Sequence, residues 1–339
     1  MNGGIFGVIA KRVIVALPIV LLASILVFVV LRLLPADPVA MSVPPNATRD
    51  EVEALRRALG LHLPIHEQYW IWLTKIATGT LGNSITYAQP VFRLIGQSLP
   101  ATIELVVVAA VFATVIGLAG GLVMHRLQGR AGEQAADVAS TLIMSVPEFL
   151  WAIFFILLFG VALNWLPFSG RLDPGVSVPH TTGFLLLDCL IAGRPGAFVN
   201  ALEHMLLPAL ALAFGTAPLL MRVLRSSLME VAQEDYVTMA RLRGLNERQI
   251  LLRHSFKNAF LPTLTLMGVQ FSFLFGGTLL VEVIYGYPGI GNMMVEAVRN
   301  TDLPIIQGVA LVYAFAVLVI NLAVDVLVLL LNPKLRVRR

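Results

Sequence analysis

Glu234-Asp-Tyr-Val-Thr-Met-Ala-Arg-Leu-Arg-Gly244-Leu-Asn-Glu-Arg-Gln-Ile-Leu-Leu-Arg-His-Ser-Phe-Lys-Asn-Ala-Phe-Leu-Pro262 is the stretch on which the reading of this chain turns. It lies mostly within a 36-residue polar interval, Arg222 to Lys257, which holds seven of the chain's 24 basic residues and four of its 20 acids. Residues from about Ser226 to Arg243 contain neither proline nor glycine and suit one helix. Gly244 can take the left-handed conformation that ends it. Asn246 can cap a second helix with Gln249 at its third position, and Leu252, Phe256 and Ala259 then share a face. Pro262 belongs in the first turn of the apolar run that follows. The expected object is a compact charged helical hairpin set between two apolar runs.

Outward from the hairpin, the 339 residues are 58% hydrophobic and 13% charged, with a mean hydropathy of +0.84. Soluble domains carry about 25% charge, so the composition specifies an integral membrane protein. The single cysteine, Cys189, cannot form an intrachain disulfide and reads as a packed thiol among apolar neighbours. The net charge of +4 does not indicate nucleic acid, because the basic residues flank apolar runs, where topology accounts for them.

Uncharged runs long enough to cross a bilayer occupy Val13–Leu31, Leu105–Met124, Phe149–Gly170, Met205–Met221, Asn258–Val281 and Leu303–Val324. The expected fold is therefore all-α, polytopic, with six transmembrane helices. The first run is too long for a signal peptide and lacks a small-residue cleavage site before Arg32, so it is expected to remain as a helix. With the N-terminus in the cytoplasm, fifteen Lys and Arg fall on inner segments and eight on outer ones. Both termini and the hairpin are thus expected in the cytoplasm.

The outer interval after the first run is too long for a plain connection. Thr48 and Glu51 form a capping-box pattern, Val52, Leu55 and Leu59 share a helical face, and Gly60 is placed to stop that helix. A second helix after Pro64 carries Tyr69, Trp72 and Ile76 at helical spacing, a pattern suited to the membrane interface. No phosphate-binding loop, H-E-x-x-H or G-x-S-x-G motif occurs. The Gly117 to Gly121 cluster reads as helix packing, since small residues let helices approach. His125, His180, His204 and His254 lack ligand spacing, so no metal site is expected.

Four carboxylates stand near or inside the spans. Asp325 is the deepest and could pair with Asn321 or a neighbouring helix. Glu148 falls either at mid-membrane or at the surface, depending on where its helix starts. Glu104 and Glu282 lie near the outer surface, where they could meet a substrate's amino group or be satisfied by local donors. Pro147, Pro208 and Pro218 interrupt spans and mark either flexing points or static kinks.

In the hairpin, Thr238-Met239-Ala240, Arg241-Leu242-Arg243, Gly244 and the later Leu261-Pro262 resemble the coupling motif of ABC importer permeases, Glu-Ala-Ala, three residues, Gly, then Leu-Pro. Only the third triplet residue and the glycine match that general form. The longer string Glu234-Asp-Tyr-Val-x-x-Ala-Arg-x-x-Gly-Leu resembles the dipeptide, oligopeptide and nickel branch. Arg32-Leu-Leu-Pro-Ala-Asp-Pro38, Gly82-Asn-Ser84, Leu99-Pro-Ala-Thr-Ile-Glu-Leu105 and Ser145-Val-Pro147 resemble it too. So do Trp165-Leu-Pro167 with Ser169-Gly170, Glu282, Tyr287-Pro-Gly-Ile-Gly291 and Asp302-x-Pro304-x-x-Gln307-Gly308. Thr182-Gly-Phe-Leu-Leu-Leu-Asp188 and the chain length are most similar to dipeptide permeases.

The resemblance implies a type I ABC importer-like permease in a bacterial inner membrane. It would carry an N-terminal transmembrane helix (1–34), an extracytoplasmic helical segment (35–98), a permease core (99–331) containing coupling hairpin 222–257, and a basic cytoplasmic tail (332–339). Implied partners are a second homologous permease, two cytoplasmic ATPase subunits, an extracytoplasmic substrate-binding protein and membrane lipid. ATP and magnesium would belong to the ATPases, with no cofactor and no enzymatic activity in this chain. The ATPase-coupling residues implied are Glu234, Asp235, Tyr236, Ala240, Arg241, Gly244 and Leu245. The pathway candidates are Glu104, Glu148, Glu282 and Asp325. Dipeptides lead as cargo, with oligopeptides, glutathione or chelated nickel as alternatives. A proton-coupled transporter relaying through Asp325 and Glu148 is a rival reading, and an intramembrane enzyme would need a facing nucleophile and base that the sequence does not supply.

Overall fold

The computed structural model describes residues 5–33, 48–58 and 60–331. The Leu34–Pro38 part of the first-helix motif and the basic tail at 332–339 lie outside the described residues. Helix α1 (Ile5–Leu33) is followed by the short α2 (Arg49–Ala58) and α3 (Ile65–Ala77), then by the long α4 (Val91–Arg126). A bent pair comes next: α5 (Gly132–Ser145), and α6 (Glu148–Phe155), which winds on as a π-helix over Ile156–Ala162. After α7 (Leu185–Ile191) come α8 (Pro195–Val231), α9 (Asp235–Leu242) and α10 (Glu247–Ile250). A π-turn at Leu251–Ser255 leads into α11 (Phe256–Ile284), then α12 (Ile290–Arg299) and α13 (Leu303–Leu331). Among the described residues the only extended pairing is an isolated antiparallel bridge between Asn83 and Pro90.

Among the described residues, four helices are long and apolar enough to cross a membrane: Val91–Arg126, Pro195–Val231, Glu247–Ile284 and Leu303–Val328. The bent pair, which turns through 97°, supplies a fifth candidate, and α1 contains a shorter apolar helix, Pro18–Arg32. Of the six crossings expected, four, or five with the bent pair, are met by helices long and apolar enough among the described residues. The third run departs most. Its helix stops at Ala162 rather than reaching Gly170, because the main chain slips to π-type bonding (Leu163 N–H to Leu158 C=O, 3.0 Å) and Asn164 adopts φ +50°. Pro147 precedes α6, and α5 adds an apolar segment on the other side of the bend.

Helix α8 is the centre of the bundle, with Met205, Leu207, Leu212, Leu220, Leu224 and Leu228 all buried. It can be gripped closely because α4 offers glycine where the two cross. A β-carbon added at Gly117 would lie 2.7 Å from Leu220 Cβ, and one at Gly121 would lie 2.9 Å from the Met221 carbonyl oxygen. The cluster at 117–121 is a packing face, as small residues in a membrane helix suggest. Pro208 and Pro218 lie inside α8 without ending it, and both are buried.

The α3 aromatics dock onto α1 rather than only facing a bilayer. Phe28 meets Tyr69 and Trp72 at ring-centroid distances of 5.4 Å each, and the Ser24 and Tyr69 hydroxyls share a 2.8 Å hydrogen bond. Such aromatic pairs add about 0.5–1.5 kcal/mol beyond area burial. Gly60 has φ +69°, as a helix stop requires; the side chains of Glu51, Leu55 and Leu59 lie outside the described ones.

Candidate coupling surface and pathway residues

At one end of the bundle, α9 and α10 form the hairpin. The expected helix from Ser226 to Arg243 is broken: α8 ends at Val231, Glu234 is extended (φ −70°, ψ 142°), and α9 starts afresh at Asp235. Nothing local forbids the longer helix. The break lets Val237 and Ala240 turn inward onto Ile250 and Val231, giving the hairpin a small core of its own. Arg241 spans the break, donating to the Ala232 carbonyl (3.3 Å) and to Glu247 Oε1 (2.9 Å).

Gly244 has φ +78° and closes α9 in a Schellman pattern, with Leu245 N–H donating to Ala240 C=O and Gly244 N–H to Arg241 C=O. Asn246 makes the full capping box, accepting from Gln249 N–H at 2.8 Å while its own N–H donates to Gln249 Oε1 at 3.3 Å. Leu252, however, points outward. The π-turn at Leu251–Ser255 inserts one extra residue per turn, so Leu251 joins Phe256 and Ala259 against Leu224 and Leu228 instead. The helix runs on from Glu247 through the π-turn without a break, so Pro262 lies inside α11 rather than in a first turn.

Asn258 on α11 donates to the Tyr236 hydroxyl (2.8 Å), fixing α9 to the next helix. Arg225 pairs with Glu133 and Asp137, and Arg222 donates to Ser140 and Thr141, so α5 is fastened to the hairpin end of α8. The hairpin's exposed surface is mostly charged and polar, with a short apolar strip set in it. Leu242 is 77% exposed, with Met239, Tyr236 and Leu245 beside it. Glu234 and Asp235, also exposed, begin the same helix.

The opposite end of the bundle gathers many of the dispersed sequence fragments into one polar network. Glu282 is fully buried; its Oε2 accepts from Gly291 and Asn292 N–H (2.8 and 3.1 Å), its Oε1 from the Thr102 hydroxyl (2.6 Å), so it caps α12. Gly289 and Gly291 are glycine because added β-carbons would strike that carboxylate, at 2.3 and 2.8 Å. Glu104 pairs with Arg171 and accepts from Leu186 N–H at 2.8 Å. Asp302 accepts from the Ser84 hydroxyl (2.6 Å) and Thr86 N–H (2.9 Å), which docks the Gly82-Asn-Ser84 fragment on the start of α13. Thr102, Ser84, Arg171 and Asp302 were not singled out from sequence as site residues. The pointer to them was that each lies in or beside a fragment carrying the family resemblance.

Asp188 is a further anchor. Burial pushes its carboxyl up, but the Thr182 hydroxyl and the amides of Thr182, Gly183 and Thr181 outweigh this and hold it below the usual aspartate range. A folded pKa below the unfolded value of about 3.9 means that the carboxylate stabilises the loop above that value and loses this as pH falls through the folded pKa. The 163–194 segment is therefore expected to become protease-sensitive below about pH 4, and Asp188→Ala to be sensitive already at pH 7. The variant should lose roughly 1.5–3 kcal/mol locally. Burial, with Glu104 and Asp188 adding to it, pushes the neighbouring Cys189 thiol up, as suits an inert packed thiol.

Of the pathway candidates, Glu104 and Glu282 thus have their oxygens engaged internally. Asp325 is half-buried, and the Asn321 amide donates to the Val317 carbonyl (2.9 Å). Glu148 stands apart from all three. It sits at the bend of the α5–α6 pair, and its carboxylate lies 2.9 Å from a β-carbon placed at Gly277 of α11 and 3.4 Å from one at Gly215, near the middle of α8. It is half-buried and forms no hydrogen bond or ion pair among the described residues.

Comparison with known proteins agrees with this architecture. Residues 113–337 match the family described as binding-protein-dependent transport system inner membrane component, and residues 5–106 match its N-terminal companion. The chain belongs to this family. It is 36% identical over 335 residues to the di/tripeptide transport system permease protein DppB of Pseudomonas aeruginosa, covering 98% of this chain and 99% of that one. It is 34% identical to the dipeptide permease DppB of Escherichia coli K12, covering 97% and 98%, and 31% identical to the glutathione permease GsiC of Shigella flexneri, covering 96% and 97%. A chain of the inward-facing MetNI methionine ABC transporter superposes with a TM-score of 0.55 at 15% identity, over 70% of this chain and 96% of that one. The fold is that of a type I ABC importer permease, and the chain is a transport system inner membrane component.

Proposed function

We propose that this permease is one of two similar subunits lining the pathway of an ATP-driven importer of dipeptides or other short peptides. Peptide delivery falls to an extracytoplasmic binding protein, and ATP with magnesium belongs to two cytoplasmic ATPase subunits that dock on the hairpin. Both termini lie on the cytoplasmic side. The observation that carries this reading is the hairpin: self-cored, capped, tied to α11 through Tyr236 and Asn258, continuous with an α8 end that is fastened to α5, and bearing an exposed apolar strip among charged residues. A rigid knob presenting an apolar strip within a charged surface suits force transfer from a soluble partner, and the peptide permeases that match nearly the whole chain supply the cargo class. Purifying the chain from its native membrane is expected to recover two P-loop ATPases and a second permease. Transport by the chain alone, driven by a proton gradient, would instead establish the rival reading.

Within that assembly Glu148 is the pathway carboxylate. A carboxylate inside a membrane bundle without a partner invites a cationic one, and a peptide's α-ammonium is such a group. Motion of the hairpin reaches the bend through α8 and the Arg225 and Arg222 links to α5. Glu148→Gln is expected to lower peptide uptake in proteoliposomes about tenfold, the loss of one charge-assisted contact, while Glu148→Asp retains part of it. Unchanged uptake at saturating binding protein would remove Glu148 from the pathway.

A further inference from the structure

Behind the hairpin, between it and the ends of α4 and α8, lies a cavity of about 340 Å³. It is lined by Arg126 and Arg130 from the α4 end and the turn after it, and by Arg241 and Arg248 from the hairpin, against one acid, Glu247. Glu247 is already engaged by Arg241. The ion pairs of the neighbouring elements use Arg225, whereas Arg126, Arg130 and Arg248 make no side-chain hydrogen bond or ion pair among the described residues. His125 also lines the cavity, and its Nδ1 is buried with no hydrogen-bond partner among those residues. The rest of the lining is Leu228, Ala232, Ile250, Leu251 and Ser255.

We infer that this cavity binds a phosphate-bearing anion, wedged between the coupling hairpin and the bundle. Three arginines, unpaired among the described residues, line one cavity from two elements, and guanidinium forks match the acceptors of phosphate. The place at the end of a membrane helix fits a headgroup, as basic pockets on the cytoplasmic side of membrane helices bind anionic lipids. An occupant would tie Arg126 and Arg130 on the bundle to Arg248 on the hairpin and so stiffen the joint through which the hairpin moves. The cytoplasmic placement rests on the function proposed above; the cavity and its charge do not.

The test uses the complete purified transporter and two probes, phosphatidylglycerol in nanodiscs and inorganic phosphate in solution. Native mass spectrometry is expected to show phosphatidylglycerol retained by the wild type, with affinity falling about fivefold in Arg248→Gln and about 100-fold in the combined Arg126→Gln, Arg130→Gln, Arg248→Gln variant. Arg253→Gln, on the same polar stretch but away from the cavity, should match the wild type. If the source is free phosphate, lipid retention stays equal while phosphate raises the melting temperature of the wild type alone, which also supports the site. Equal responses of wild type and combined variant to both probes would overturn it. So would loss of the ATPase subunits from the combined variant during purification, since the arginines would then be holding protein. Neither result depends on whether the cargo is a peptide.

Discussion

Gly117→Val is expected to unfold the bundle at its centre. The β-carbon alone would stand 2.7 Å from Leu220 Cβ, 3.3 Å from Leu220 Cδ1 and 3.4 Å from the Ala217 carbonyl oxygen. Both leucine atoms belong to a residue with no exposed surface, so neither can swing into free space. Helix α4 must therefore move away from α8, and the apolar contacts of Leu220 and Leu224 loosen with it. Overpacking of this kind costs about 1–3 kcal/mol and occasionally more, a sizeable fraction of a domain's net stability. Thermal unfolding of the purified subunit in detergent should show it as a fall in melting temperature of several degrees, with most of the protein lost to aggregation. Gly96→Ala is the control on the same helix. Nothing stands within 4 Å of its β-carbon, so alanine should be neutral or stabilising by about 1 kcal/mol through helix propensity. Equal melting of Gly117→Val and wild type would mean that α4 and α8 do not meet as described.

What the sequence made legible is what depends on near neighbours. The glycine face at 117–121, the stop at Gly244 and the Asn246–Gln249 cap all follow from residue type and spacing. The break between α8 and α9 did not, because no local residue forces it. It exists so that Val237 and Ala240 can meet Ile250, ten or more residues on. The two π-turns escaped for a related reason. Each inserts a residue without a compositional mark, and the one at Leu251–Ser255 exchanged Leu252 for Leu251 on the buried face. The carboxylates were visible, but not their partners. Glu104 finds Arg171 and Glu282 finds Thr102 across 67 and 180 positions, distances over which spacing carries no information. Glu148 could be placed only once the 97° bend at Pro147 showed its helix starting against Gly215 and Gly277 rather than at a surface.

Gly244→Val should cut transport at least tenfold while leaving the chain folded and inserted. No atom lies within 4 Å of a β-carbon at this position, so the effect comes chiefly from φ +78°. The left-handed region costs an ordinary L-residue about 1–2 kcal/mol, and a β-branched side chain more. At about 2 kcal/mol the docked hairpin geometry would fall roughly 30-fold in population, because the hydrogen bonds from Gly244 and Leu245 to Arg241 and Ala240 close only with that backbone. Nothing in the bundle core touches the turn, so melting should move little. Peptide uptake by the reconstituted complex should drop at least tenfold, with ATP hydrolysis no longer responding to loaded binding protein. Gly244→Asn separates this from a generic loss of glycine, since asparagine tolerates the left-handed region and should keep most of the uptake. A valine variant that transports normally would show that the turn carries no force, and the hairpin would lose its role as the lever.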